Sequence, residues 1–187
     1  MVVRPLDHRH VRFCPGNPHV ILRSATLLLL LSFPAVAAEA VSGPATVIDG
    51  DTIELHGSRI RLYGIDAPET AQNCENAAGH AYPCGRDAAH ALAEQIGSNP
   101  VTCEPLKAPK SERVVAVCRV GHEDLSAWMA AHGHAVADRR TSATYVRQES
   151  KAWAMRRGLW AGIFVDPADW RRTSRRSEAT AKPPAQD

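Results

Sequence analysis

The amino-acid sequence predicts one small α+β domain, mainly β. Three observations carry this. Short β-branched runs with turn residues between them fill the first half of the chain, and apolar residues at helical spacing recur in three later segments. A length of 187 residues suits one domain with extensions rather than two domains.

Residues 45–48 and 52–56 alternate enough to be strands, joined by Asp49-Gly50-Asp51. Asp-Gly between such runs signals a hairpin whose central residues need positive φ. Gly57-Ser58 turns the chain into a third strand over residues 59–65, with Ile60, Leu62 and Ile65 apolar. Pro68, within Asp66-Ala67-Pro68-Glu69, stops this meander because it has no N–H for a central ladder. A polar loop over 70–85 follows. A helix then runs from Gly85-Arg86-Asp87 to about Ile96, with Ala88, Leu92 and Ile96 on one face and Gly97 as its stop. Residues 101–104 and 113–120 read as two more strands around a long loop at 105–112. Leu125, Trp128, Met129 and His132 mark a second helix ended by Gly133, and residues 145–157 a third ended by Gly158. The order of three strands, a helix, two strands and two helices is that of a five-stranded OB-type barrel with three helices, over residues 39–165. Trp128, Trp153 and Trp160 are expected in the core. His132-Gly133-His134 reads as a helix stop rather than a metal pair. The Arg- and Ser-rich residues 166–187 are expected to form a disordered basic tail.

Residues 1–38 read as a leader and signal peptide, with five leucines at 27–31, Arg23 ahead of them and Ala35-Val36-Ala37 as a small-residue cleavage signal. The sequence therefore predicts an exported protein, periplasmic or extracellular, without stable membrane association after cleavage and acting as a monomer. Cys74, Cys84, Cys103 and Cys118 remain past the leader, an even number that in an oxidising compartment reads as two disulfides. Three pairings are possible, and the absence of a C-x-x-C pair disfavours a zinc site. We expect Cys103–Cys118, across two neighbouring antiparallel strands, and Cys74–Cys84, bracketing one loop. Charge divides along the chain. Residues 39–138 hold 7 basic and 14 acidic groups, and residues 139–187 hold 11 and 5. An acidic front suits a cation and a basic back suits a polyanion.

The residues best suited to chemistry lie between Asp49 and Glu69. Asp51 follows the first turn, while Asp66 and Glu69 sit where the third strand stops. Carboxylates at converging strand ends can hold one hard cation. Arg61 faces away from its apolar neighbours Ile60 and Leu62, as strand alternation requires, and a guanidinium beside a cation suits bidentate capture of phosphate.

Val47-Ile48-Asp49-Gly50-Asp51-Thr52, then Arg59 through Thr70 (RIRLYGIDAPET), then Arg113-Val114-Val115-Ala116 resemble the motifs of the staphylococcal nuclease (thermonuclease) family. The resemblance spans roughly residues 44–162. It implies a Ca²⁺-dependent nuclease acting on DNA and RNA and leaving 3′-phosphate and 5′-hydroxyl ends. By motif position it makes Asp51 and Asp66 carboxylate ligands of calcium and Ala67 a backbone-carbonyl ligand. It makes Glu69 the group that orients or deprotonates water, and Arg61 and Arg113 the phosphate clamps. Lys110 is a further candidate for substrate contact. Family members commonly carry Asp-x-Tyr-Gly-Arg before the second clamp, whereas this chain has Pro109-Lys110-Ser111-Glu112-Arg113, and Arg139 falls near another substrate-facing Tyr. The catalytic set is complete and the substrate surface is altered. The alternative is a catalytically weak nucleic-acid-binding module of the same fold, which would usually have lost several of Asp51, Arg61, Asp66, Glu69 and Arg113.

Overall fold

Pro44 separates two strands that occupy opposite ends of one sheet, and this makes the sheet curl. The computed structural model describes residues 39–106 and 114–181. The first half comprises β1 (Val41–Gly43), β2 (Ala45–Asp49), β3 (Thr52–Leu55), β4 (Ser58–Leu62), β5 (Ile65–Asp66), β6 (Cys74–Glu75), β7 (Ala81–Tyr82) and α1 (Cys84–Ile96). The second comprises β8 (Val101–Pro105), β9 (Val114–Val120), β10 (Glu123–Asp124), α2 (Leu125–His132), β11 (Val136–Ala137), α3 (Val146–Ala154), a 3-10 turn (Gly158–Ala161) and α4 (Pro167–Ala181). The main sheet runs β1-β8-β9-β4-β3-β2, with β10 beside β9. Only Pro44 lies between β1 and β2, so the two ends of that order must meet. Every pair in this sheet is antiparallel except β4 with β9, which is parallel.

The fold class is the expected one, an OB-type α+β fold, with different counts. The main sheet has seven strand segments rather than five, because short β1 and β10 extend it. Four α-helices stand among the described residues rather than three. Ile53, Leu55, Ile60 and Leu62 point inward from β3 and β4 and meet Leu92 of α1 and Leu125 and Met129 of α2 in one core. Each such side chain contributes about 1.5–3 kcal/mol by leaving water.

Two turns exchange the roles the sequence suggested. Gly50 does not have positive φ; the mirror-image turn lies one hairpin later, at His56 (φ 51°) and Gly57 (φ 75°), between Leu55 and its partner Ser58. Gly50 is required for space instead. A Cβ there would lie 2.7 Å from Ala67 Cβ and 2.8 Å from Ala88 Cβ. The third strand also divides. Gly64 (φ 73°) breaks it after Leu62, and β5 leaves the main sheet to pair with β11.

Cys103 faces Cys118 across β8 and β9 and is bonded to it, with Cα atoms 4.1 Å apart. Cys74 is bonded to Cys84, with Cα atoms 5.6 Å apart, tying β6 to the first residue of α1. Helix α3 ends at Ala154, short of residue 157, since Arg156 takes φ 49°. Trp153 corrects an expectation: it is exposed, whereas Trp128 packs on the main core and Trp160 on a smaller one with Leu159. His132 and His134 stack with the Trp128 ring.

The largest departure is α4, standing where a disordered tail was expected. Asp166 Oδ1 accepts the N–H of Ala168 at 2.9 Å, and Pro167 follows at the first helical position, where its missing N–H costs nothing. Pro167 and Ala168 are buried. This cap and anchor start a helix whose later Arg- and Ser-rich turns resemble a tail in composition alone.

Candidate active site

Three neighbouring backbone segments bring the carboxylates together. Asp51 ends the turn before β3, Asp66 lies on β5, and Glu69 lies just beyond it. Arg61 sits opposite Thr52 in the β3–β4 register, half-exposed, while Ile60 and Leu62 on either side are buried. The Leu62 N–H donates to the Asp51 carbonyl at 2.8 Å, fixing the turn against β4. Nη2 of Arg61 lies 2.9 Å from Asp51 Oδ2 and 2.9 Å from Asp66 Oδ1, so one nitrogen bridges both carboxylates. Gly85 lets α1 approach the Glu69 backbone; a Cβ there would stand 1.7 Å from the Glu69 carbonyl oxygen.

These acids are withdrawn from water. Asp51 is 3% exposed and Asp66 1%. Burial pushes the Asp51 carboxyl up to about 7, against the opposing pull of Arg61 and with a further push from Asp49. Asp51 Oδ1 accepts the Thr52 hydroxyl at 2.9 Å, and Oδ2 accepts the Ala67 N–H at 3.1 Å. Glu69 is more open, with a third of its side chain exposed.

Two further arginines enter this cluster that sequence reasoning did not assign to it. Arg171 of α4 grips Asp66 with both terminal nitrogens, Nη1 to Oδ1 at 2.8 Å and Nη2 to Oδ2 at 2.6 Å, and Nη1 also reaches Glu69 Oε1 at 2.7 Å. The hydrogen bond to Asp66 holds this guanidinium above the ordinary arginine range. Arg140 Nη2 lies 3.2 Å from Asp66 Oδ2, and its hydrogen bond to Asp138 likewise raises it. The one sequence signal for Arg171 was its place about one helical turn beyond Asp166-Pro167. Beside Asp66 opens a cavity of about 300 Å³ lined by Asp138, Arg139, Arg140, Asp166 and Arg172. Arg139 pairs with the buried Glu149.

Asp51, Arg61, Asp66 and Glu69 thus form one cluster. The Ala67 contact in it is through its N–H. Lys110 and Arg113 lie outside the described residues, as does the leader. The donors suit a hard cation, since two buried carboxylates already share one positive group and both present oxygen. Among the described residues no three His, Cys, Asp or Glu are gathered closely enough to cage an ion, for guanidinium groups stand between the acids.

Residues 59–162 match the model of the staphylococcal nuclease homologue family. The chain is 39% identical over 136 residues, 71% of each chain, to "Succinoglycan biosynthesis protein ExoI" of Rhizobium meliloti. It is 31% identical over 133 residues to "Probable endonuclease LCL3" of Candida dubliniensis, covering 64% of this chain and 55% of the relative. It is 33% identical over 136 residues to "Probable staphylococcal-like nuclease CAN3" of Oryza sativa, covering 70% of this chain and only 33% of that longer protein. The matched segment holds Arg61, Asp66 and Glu69 and ends before α4, and on this match the chain belongs to the staphylococcal nuclease family.

Proposed function

We propose that this protein is an exported, calcium-dependent nuclease that hydrolyses phosphodiester bonds of DNA, RNA or both. The observation carrying the reading is the convergence of Asp51, Arg61, Asp66 and Glu69 in one cluster, in a chain whose family and nuclease-named relatives support a nuclease function. Two disulfides support export, because such bonds persist in oxidising compartments.

In this reading Asp51 and Asp66 hold the ion, with the Ala67 carbonyl as a further donor. When bound, calcium offsets negative charge on the phosphate and acts as a Lewis acid. Arg61 and Arg113 hold the non-bridging oxygens, where charge grows as water attacks phosphorus. Glu69 takes a proton from that water. The bond from phosphorus to the 5′-oxygen breaks and the leaving oxygen gains a proton, giving 3′-phosphate and 5′-hydroxyl ends. End-group analysis of a cleaved oligonucleotide tests this chemistry. The expected products carry 3′-phosphates and are lost with Glu69→Gln, whereas 5′-phosphate products would overturn the assignment.

A further inference from the structure

Asp66 has no free oxygen. Its Oδ1 accepts from Arg61 at 2.9 Å and from Arg171 at 2.8 Å, and its Oδ2 from Arg171 at 2.6 Å and Arg140 at 3.2 Å. Arg171 also holds Glu69. Of these three arginines Arg171 alone spans both acids, and it does so from a helix beyond the family-matched segment. The helix is held in place for this. Asp166 caps it, Pro167 and Ala168 are buried, and the fully buried Gln72 donates to the Val165 carbonyl at 2.7 Å just before the cap.

We infer that Arg171 is a tethered cation that occupies the carboxylate site, competing with the divalent ion for Asp66 and covering Glu69. The inference rests on the proposed calcium site. A calcium ion needs carboxylate oxygens at about 2.3–2.6 Å and carries the same sign of charge as the guanidinium. The two cannot use the same oxygens together. Binding of the ion therefore requires Arg171 to withdraw, and withdrawal also frees Glu69 to act on water. The apparent affinity for the ion is the intrinsic affinity multiplied by the fraction of molecules in which Arg171 has left. Arg171 thus sets the calcium concentration at which the enzyme works.

Calcium titration of the metal-stripped, disulfide-intact protein by calorimetry tests this. Arg171→Ala is expected to bind calcium about tenfold more tightly than wild type if about nine molecules in ten hold Arg171 in the site. Arg171→Lys, which keeps the charge without the two-nitrogen fork, is expected to lie between them. Arg172→Ala, one residue away and paired with Asp169, is expected to match wild type. Unchanged or weaker calcium binding in both Arg171 variants would overturn the inference while leaving the calcium site standing; weaker nucleic-acid binding alongside it would make Arg171 a phosphate contact instead. No calcium binding by wild type or any variant would overturn the calcium site itself, and this inference with it.

Discussion

Gln72 reaches across 93 positions of sequence to donate from Nε2 to the carbonyl of Val165 at 2.7 Å. Its Oε1 accepts the Glu69 N–H at 3.3 Å, so one buried amide ties the loop carrying Glu69 to the entry of α4. Gln72→Leu keeps roughly the same shape and leaves the Glu69 N–H and the Val165 carbonyl without their partner. The expected loss is on the order of 1–3 kcal/mol per stranded group, read by chemical denaturation. An unchanged midpoint would show that the tie carries no stability.

Gly50 leaves room for Ala67 and Ala88 rather than supplying a left-handed turn. Gly50→Ala should therefore overpack the junction of the first hairpin and α1, costing about 1–3 kcal/mol. It should also weaken calcium binding, because Asp51 is the next residue. Normal stability together with normal calcium affinity would contradict the close-approach account.

The two disulfides should separate by effect. Removing Cys103–Cys118 by paired Ala substitution should lower stability by roughly 2–3 kcal/mol in the chain-entropy model and leave the site geometry alone. Removing Cys74–Cys84 should cost about as much and also loosen the Glu69 loop, since Gly85 packs directly on the Glu69 backbone beside Cys84. Melting curves and turnover of both variants decide this. Equal turnover in the two would remove any link between the second bridge and the site.

Glu69→Gln and Arg113→Ala should each lower turnover by at least about 10²-fold with little loss of stability. Arg61→Ala should lose as much turnover and also destabilise the metal-free protein, by on the order of 1–3 kcal/mol, because the buried Asp51 loses its arginine partner while Asp66 keeps Arg171 and Arg140. Calcium should restore part of that stability. If calcium leaves the Arg61→Ala melting temperature where it was, Asp51 and Asp66 do not hold the ion.

How far the sequence disclosed this depends on the range over which each feature is encoded. Alternation around Asp49-Gly50-Asp51 and through Ile60 and Leu62 is local, and it located the strands and the outward-facing Arg61. The split of the third strand was hidden because β5 pairs with β11, some seventy residues away. The role of Gly50 was hidden for a like reason: the Ala67 and Ala88 methyl groups that crowd it come from other elements. Helix α4 had a readable start in Asp166-Pro167, but its Arg- and Ser-rich composition outweighed that signal. Its Arg171 could not be assigned to the site without knowing that α4 returns to Asp66. Trp153 shared helical spacing with buried residues, yet it falls on the solvent side of α3, which a short helix does not reveal by period alone.

The most direct test of the central claim is the rate of plasmid DNA and RNA cleavage by the disulfide-intact protein in calcium, then in excess chelator, then with calcium restored. The account predicts cleavage with calcium, none with chelator, recovery on restoration, and a rate at least about 10²-fold lower in Glu69→Gln with calcium. Full cleavage in excess chelator, or full activity in folded Glu69→Gln, would contradict it.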